Sequence, residues 1–175
     1  MIYAQLHSCN NGSELLFNAE QAVNTAVDDE ENASSTNRKP WKVMIVDDDD
    51  VVHQVSLMVL SDYKFEGRPV EVIQAYSGDV CRKLMKEHPD TAVLLLDVIM
   101  ETESAGLDTV KYVREVLNNH AVRIIIRTGQ PGQLLGKDMI NEYDINGYLE
   151  KSVLTAQNLF NSLNNGLAEF CNVTE

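Results

Sequence analysis

The sequence predicts an α/β fold in which a parallel β-sheet carries helices on both faces. Three observations indicate it. From residue 42 onward, short β-branched runs alternate with longer stretches of helical spacing, and two of the short runs end abruptly at an aspartate: Val43–Val46 at Asp47, and Val93–Leu96 at Asp97. Such runs are typical of buried parallel strands whose carboxyl ends open at the surface, where ligands bind.

Five short apolar runs are predicted to form the strands, because each is bounded by charged or turn residues. In chain order they cover residues 42–46, 70–75, 92–96, 122–126 and 145–149. Connections between parallel strands are right-handed, so helices should cover both faces and all five carboxyl ends should lie on one edge.

The segments between these strands have helical spacing. The residues that mark the helices are, in order, Val51, Val55, Met58 and Val59; Val80, Leu84 and Met85; Leu107, Val110, Val113 and Leu117 within 106–118; and Leu159, Leu163, Leu167 and Phe170. A further helix is expected after the fourth strand, where residues 129–132 introduce it.

Length and composition suit one compact domain with an appendage. The chain has 175 residues, of which 44% are hydrophobic, enough for a sizeable core. Residues 28–40 are polar and end in a proline, which is typical of a linker. We therefore predict a largely flexible arm and linker at residues 1–40 and a folded domain at residues 41–175.

Charge and cysteine content exclude several classes of function. A net charge of −13 argues against nucleic acid or an anionic membrane as a direct partner. The three cysteines are far apart and lack metal-ligand spacing, so no disulfide framework or zinc site is expected. The sequence shows neither a secretory signal nor a membrane span, and a cytoplasmic location is expected.

Reactive side chains follow four of the predicted strands. Asp47 and Asp48 come after the first, Asp97 after the third, Thr128 after the fourth and Lys151 after the fifth. Each alone has an ordinary explanation, such as a helix cap or a solvated charge. Together they supply what phosphoryl transfer needs: a carboxylate nucleophile, an acidic pair for Mg²⁺, a hydroxyl donor and an ammonium group.

At this point the chain resembles the receiver domain of two-component response regulators. The resemblance covers about residues 42–171 and is carried by KVMIVDDD at 42–49, LLLDVIM at 94–100, IRTG at 126–129 and GYLEK at 147–151. It implies a doubly wound, flavodoxin-like sheet of five parallel strands in the order 2-1-3-4-5. It also implies a signalling domain that catalyses only its own phosphorylation and dephosphorylation.

The resemblance implies a role for each pocket residue. Asp97 would be the phosphoacceptor. Mg²⁺, or Mn²⁺ in its place, would be bound by Asp97, by Asp48 directly, by Asp47 chiefly through water, and by the backbone carbonyl of Ile99. No organic cofactor is implied.

Lys151 would pair with the phosphoryl group, and Thr128 and Tyr148 would form the switch that moves inward on phosphorylation. The implied partners are a sensor histidine kinase or phosphotransfer protein, and an output domain or partner protein. The latter would bind the face formed by the fourth helix, fifth strand and last helix.

A finer resemblance concerns a subgroup of receivers that precede HD-type cyclic-di-GMP hydrolases or sensor kinases. It is carried by MET at 100–102, RTGQPG at 127–132 and LTAQ at 154–157. Two departures from the common pattern stand out: Glu101 replaces a proline, and Ser152 replaces the proline that usually follows Lys151. We expect the Lys151–Ser152 peptide to be cis nonetheless.

Two alternatives remain open. One is a phosphatase of the haloacid dehalogenase type, whose Asp-x-Asp pattern is also met at residues 47–51. That enzyme needs an acidic pair downstream of its lysine, where only Glu169 and Glu175 follow Lys151. The other is a degenerate receiver that serves only as an interaction module, although no pocket residue is missing.

Overall fold

The computed structural model describes residues 38–129, 141–151 and 155–174. Most of the predicted arm and linker, the predicted helix after the fourth strand, Glu175 and the Lys151–Ser152 peptide lie outside the described residues. The domain boundaries and the cis peptide therefore stay predictions.

A six-stranded sheet forms the centre of the domain. Its strands are β1 (Trp41–Val46), β2 (Lys64–Phe65), β3 (Arg68–Ala75), β4 (Val93–Asp97), β5 (Arg123–Thr128) and β6 (Gly147–Glu150). They lie side by side in the order β2-β3-β1-β4-β5-β6. The five longer strands are parallel, and their order is the 2-1-3-4-5 arrangement that was expected.

One of the six strands, β2, was not predicted. β2 has two residues and pairs antiparallel with β3, Lys64 opposite Pro69 and Phe65 opposite Arg68. The tight turn between the two strands has positive φ at Glu66 and Gly67. A two-residue strand is too short to show alternation in the sequence, so only its pairing partner reveals it.

Four helices lie within the described residues: α1 (Asp50–Leu60), α2 (Gly78–Glu87), α3 (Ala105–Lys111) and the C-terminal α4 (Ala156–Thr174). Side chains cap three of them, since the Val51 amide donates to Asp49 over 2.8 Å, the Val80 amide to Ser77 over 3.2 Å and the Asn158 amide to Thr155 over 3.1 Å. None of the described helices is both long and apolar enough to cross a membrane.

The helix predicted at 106–118 is regular only in its first half. Beyond Lys111 it widens into a π-helical turn, Tyr112–Val116. This turn carries Arg114, a buried residue whose guanidinium donates to the carbonyls of Asn119 (2.6 Å) and Asp144 (2.8 Å). Because these acceptors lie in loops, the periodicity of the helix could not reveal the widened turn.

Both faces of the sheet are covered by core residues. Met44, Val46, Leu94 and Leu96 pack on the face toward α2 and α3, while Val43, Ile45, Val93 and Leu95 pack on the other face with Leu159, Leu163 and Leu167 of α4. Burying one such side chain contributes about 1.5–3 kcal/mol to stability. The near-continuous apolar runs of β1 and β4 are therefore explained by burial on both sides.

Helix α1 was predicted correctly, but three of the four apolar residues that mark it are exposed, and only Val59 packs partly against the core. Val51 and Met58 are 61% and 76% exposed, whereas the buried positions are His53, Ser56 and Leu60. The face of α1 toward the sheet is therefore partly polar.

Candidate functional site

The carboxyl edge of the sheet holds a cluster of three carboxylates. Asp47 follows β1, Asp48 is its neighbour, and Asp97 is the last residue of β4. Oxygen atoms from the three lie within 4.8 Å of one another. Strands β1 and β4 are adjacent and parallel, so the residues at their ends meet at one edge, as the sequence predicted.

The four consecutive aspartates have different environments. Asp47 is fully buried and accepts a bond from the Asp49 amide over 3.1 Å, while Asp48 is exposed at the rim. Asp49 caps α1, and Asp50 is its first residue. The run therefore serves two purposes: its first half faces the cluster and its second half begins a helix.

Lys151 joins two of the carboxylates. Its Nζ lies 2.7 Å from Oδ2 of Asp97 and 2.9 Å from Oδ2 of Asp47. Burial alone would lower the pKa of this ammonium group, but its bonds to Asp97 and Asp47 outweigh burial and raise the pKa. Lys151 therefore stays charged at neutral pH.

One ammonium does not neutralise the cluster. Burial raises the pKa of Asp97, and the nearby charge of Asp47 adds to the rise, against the opposing effect of Lys151. The cluster has three carboxylates and one ammonium group bound to them, so negative charge remains. All of its ligand atoms are oxygens, which is the ligand type that hard divalent ions prefer. The residues present therefore can hold a metal ion of this class.

A pocket opens beside the cluster. It is lined by Asp97, Ile99, Thr128, Gly129 and Lys151. Every residue predicted for phosphoryl transfer therefore lies in the acidic cluster or in this pocket, where a carboxylate, an ammonium group and a hydroxyl surround one space.

Comparisons with known proteins agree with this geometry, although no family model matches the chain. The chain is 46% identical over 134 residues to the 3'3'-cGAMP-specific phosphodiesterase 2 of Vibrio cholerae, an alignment that covers 77% of this chain and 26% of that protein. The chain thus spans about a quarter of this relative's length.

Solved structures similar to this chain include that of a CheY-like response regulator receiver domain protein from Methanospirillum hungatei. It is 26% identical to this chain, has a TM-score of 0.61, and the match covers 75% of this chain and 97% of that one. The signal receiver domain of an HD domain-containing protein from Pseudomonas fluorescens has 20% identity and a TM-score of 0.66, covering 82% of this chain and 97% of that one. The folded part of the chain has the fold of these response regulator receiver domains. The fold predicted from the motifs is thereby confirmed.

The two predicted switch residues differ in exposure. Thr128 is 3% exposed at the end of β5, whereas Tyr148 on β6 is 59% exposed. The structure therefore places Thr128 at the pocket and leaves Tyr148 at the surface, where it lines a groove with Glu169 of α4. Glu169 lies in that groove and not among the pocket-lining residues, so nothing described supports the acidic pair that a dehalogenase-type phosphatase needs.

Glu101, which departs from the common receiver pattern, caps a helix. Its Oε1 accepts a bond from the Gly78 amide over 2.9 Å at the start of α2. A carboxylate at a helix N-terminus is favourable because it satisfies a free amide and meets the positive end of the dipole. The loop after Asp97 is thus attached to α2 by a side chain that proline could not provide.

Gly106 is a site residue that the sequence did not single out. Its amide donates to the Val98 carbonyl over 3.0 Å, and a Cβ built on it would lie 2.3 Å from the Asp97 carbonyl oxygen and 2.6 Å from Cα of Val98. Only glycine allows α3 to approach the backbone of Asp97 so closely.

His53 of α1 was also missed. It is buried, its Nε2 lies 2.9 Å from the carbonyl oxygen of Asp47, and its ring lies against Tyr76 at 4.2 Å between centroids. Since a carbonyl only accepts, Nε2 must be the donor. His53 thus fixes the backbone that presents Asp47 and Asp48. A lone histidine in a helix gives no sequence signal for such a contact.

Proposed function

We propose that Asp97 accepts a phosphoryl group from a phosphohistidine donor in a reaction that requires Mg²⁺. The observation that carries this proposal is the position of Lys151 Nζ, within 2.9 Å of the buried carboxylates of both Asp97 and Asp47. An ammonium group at this point would be placed to neutralise oxygens of a phosphoryl group that enters the pocket.

In the transfer step, a carboxylate oxygen of Asp97 attacks phosphorus. A bond forms between that oxygen and phosphorus as the bond from phosphorus to the donor nitrogen breaks, and the leaving imidazole takes up a proton. Burial, which raises the pKa of Asp97, keeps its carboxylate basic and hence nucleophilic. Lys151 shifts part of its bonding from Asp97 to a phosphoryl oxygen, and the Thr128 hydroxyl donates to another.

Asp47, Asp48 and Asp97 would hold Mg²⁺, with the backbone carbonyl of Ile99 as a further ligand, and Mn²⁺ would serve in its place. When bound, the ion would neutralise charge on the transferred group. The chain needs no other cofactor for this step and would turn over no external substrate.

Phosphorylation would then act on a partner. We infer that the donor is a sensor histidine kinase or a phosphotransfer protein in the cytoplasm. The switch would run through Thr128 and Tyr148 to the surface formed by β6, α4 and the helix that the sequence predicts between β5 and β6. Because one relative is a cyclic-dinucleotide phosphodiesterase and another is a receiver of an HD domain-containing protein, an output module of that class is the first candidate.

Intact-mass analysis after incubation with acetyl phosphate and Mg²⁺ tests the proposal. We expect one added phosphoryl group on the wild-type chain, none on Asp97→Asn, and an unchanged yield on Asp90→Asn, whose carboxylate pairs with Lys42 far from the pocket. Undiminished labelling of Asp97→Asn would refute the assignment. Absence of labelling in the wild type would favour an interaction module, and steady release of phosphate from phosphate esters would favour a phosphatase.

A further inference from the structure

A second cation lies beneath the acidic cluster. Arg127 is 1% exposed and precedes Thr128 on β5, where it is the register partner of Asp97 on β4. Side chains alternate along a strand, so Arg127 lies on the same face of the sheet as Ile125, toward α1. There its Nη1 lies 3.3 Å from Oγ of Ser56.

Arg127 is poorly satisfied by its neighbours. The Ser56 hydroxyl already donates to the Val52 carbonyl over 2.6 Å, and within the described part of the chain Nε and Nη2 of Arg127 have no hydrogen-bond partner. A buried charge without a bonded counter-charge costs several kcal/mol, so something else must offset it.

The acidic cluster provides that offset. Burial lowers the pKa of Arg127, and the charges of Asp47 and Asp97 act in the opposite direction. The position of Arg127 is thus explained by the field of the pocket rather than by a hydrogen-bonded partner.

A count of charges shows when this cation matters most. Asp47, Asp48 and Asp97 carry three negative charges, and Lys151 and Arg127 carry two positive charges, so before a metal ion binds the site has about one net negative charge. A divalent ion leaves the site with one excess positive charge, and a phosphoryl group on Asp97 adds about one negative charge and brings the site to neutrality. Without Arg127, the site would be neutral with the metal alone and negative once phosphorylated.

We propose that Arg127 is a buried electrostatic residue that favours the phosphorylated state of Asp97 and weakens Mg²⁺ binding before phosphorylation. It is not a catalytic residue, because it does not touch the reacting atoms. This inference rests on the proposed function. The rival explanation is structural: Arg127 would only fill space between α1 and the sheet.

Three variants separate these explanations. Arg127→Met removes the charge and keeps most of the volume, while Arg127→Lys restores the charge. Arg123→Met is the matched control, because Arg123 is also a buried arginine on the same face of β5 but donates to the carbonyls of His120 and Ala121 at the opposite end of the strand. Four residues along a strand place it about 13 Å from Arg127.

Two affinities are measured by calorimetry for the wild type and for each variant. The first is Mg²⁺ alone; the second is beryllofluoride at saturating Mg²⁺, which adds one negative charge to Asp97 as a phosphoryl group does. We expect Arg127→Met to bind beryllofluoride at least about tenfold more weakly and Mg²⁺, which carries twice the charge, at least about a hundredfold more tightly, because a pair of unit charges at an effective dielectric of about 20 interacts by more than about 1.4 kcal/mol at any separation below about 12 Å. Arg127→Lys and Arg123→Met should behave as the wild type.

Opposite shifts in the two affinities are something that a packing defect cannot produce. Both affinities unchanged, or both weakened together with a lower melting temperature, would overturn the proposal. Should Arg127→Met fail to fold, Arg127→Gln provides a second neutral variant. If the wild type binds Mg²⁺ but no beryllofluoride, the proposed function fails. The Mg²⁺ affinities of the wild type and Arg127→Met still decide whether Arg127 acts on the cluster.

Discussion

Replacement of Lys151 by methionine should destabilise the domain when no metal ion is added. The side chains of Asp47 and Asp97 are 0% and 7% exposed, and Lys151 Nζ contacts both. Removing one partner of a buried ion pair costs about 3–5 kcal/mol. Because the Lys151 side chain is 26% exposed, solvent reduces this cost, and we expect about 2 kcal/mol.

For a domain of this size that loss corresponds to a fall in melting temperature of roughly 8 °C, at about 4 °C per kcal/mol. Thermal unfolding followed by circular dichroism at pH 7.5 in EDTA measures it. Folding raises the pKa of Lys151, so its contribution is fully present below the ordinary lysine pKa of about 10.4 and is lost as the pH rises through the higher folded value. The measurement at pH 7.5 therefore reads the whole effect.

Mg²⁺ should then restore much of the lost stability, since a cation among the carboxylates replaces the missing ammonium. The gain in melting temperature on adding Mg²⁺ should be larger in Lys151→Met than in the wild type. Lys42→Met is the control, because Lys42 pairs over 2.8 Å with Asp90, which is 60% exposed, and such pairs contribute less than about 1 kcal/mol. Equal losses in the two variants, or equal gains from Mg²⁺ in Lys151→Met and the wild type, would refute the reasoning.

Four further outcomes are expected. Folding raises the pKa of Asp97, so its ionised form costs stability above the unfolded pKa of about 3.9; Asp97→Asn should raise the melting temperature in EDTA at pH 7, and the gain should shrink as the pH falls toward 4. Asp48→Ala should weaken Mg²⁺ binding about tenfold or more by calorimetry, whereas Asp50→Ala should have little effect; equal losses would mean that the wrong aspartate was chosen. Gly106→Ala should cost about 3 kcal/mol in urea unfolding and slow phosphorylation, because its methyl group collides with the backbone of Asp97; a fully stable variant would contradict the close approach. Hydrogen exchange across residues 141–174 should change when beryllofluoride binds with Mg²⁺, and identical protection would argue against a switch at the surface that bears Tyr148.

The pocket was predictable because each of its reactive residues is the last residue of a parallel strand or directly follows one. Parallel strands place their ends at one edge, so Asp47, Asp97, Thr128 and Lys151 needed only the correct strand assignment to be brought together. The strand order, by contrast, was supplied by the family resemblance.

Residues that act through contacts distant in sequence escaped prediction. Glu101 finds its partner 23 residues away, at Gly78. His53 and Arg127 likewise find their polar contacts on other elements or across a turn, and neither periodicity nor composition indicates those contacts. The outward direction of Met58 also escaped prediction, because the buried face of α1 carries His53 and Ser56, which apolar spacing does not mark.

The paired hydrogen bonds at the start of α1 link cation binding to the fraying of a helix. The Asp49 amide donates to Asp47, and the Asp49 side chain accepts from the Val51 amide, so one short segment both presents a metal ligand and nucleates the first helical turn. An ion that holds Asp47 in place should therefore shift the opening equilibrium of that turn toward the closed, helical form. Thermodynamic reciprocity requires the converse: any protein that loosens the first turn of α1 must weaken the affinity for the ion by the same factor. A partner that binds there could thus expel the cation without entering the pocket.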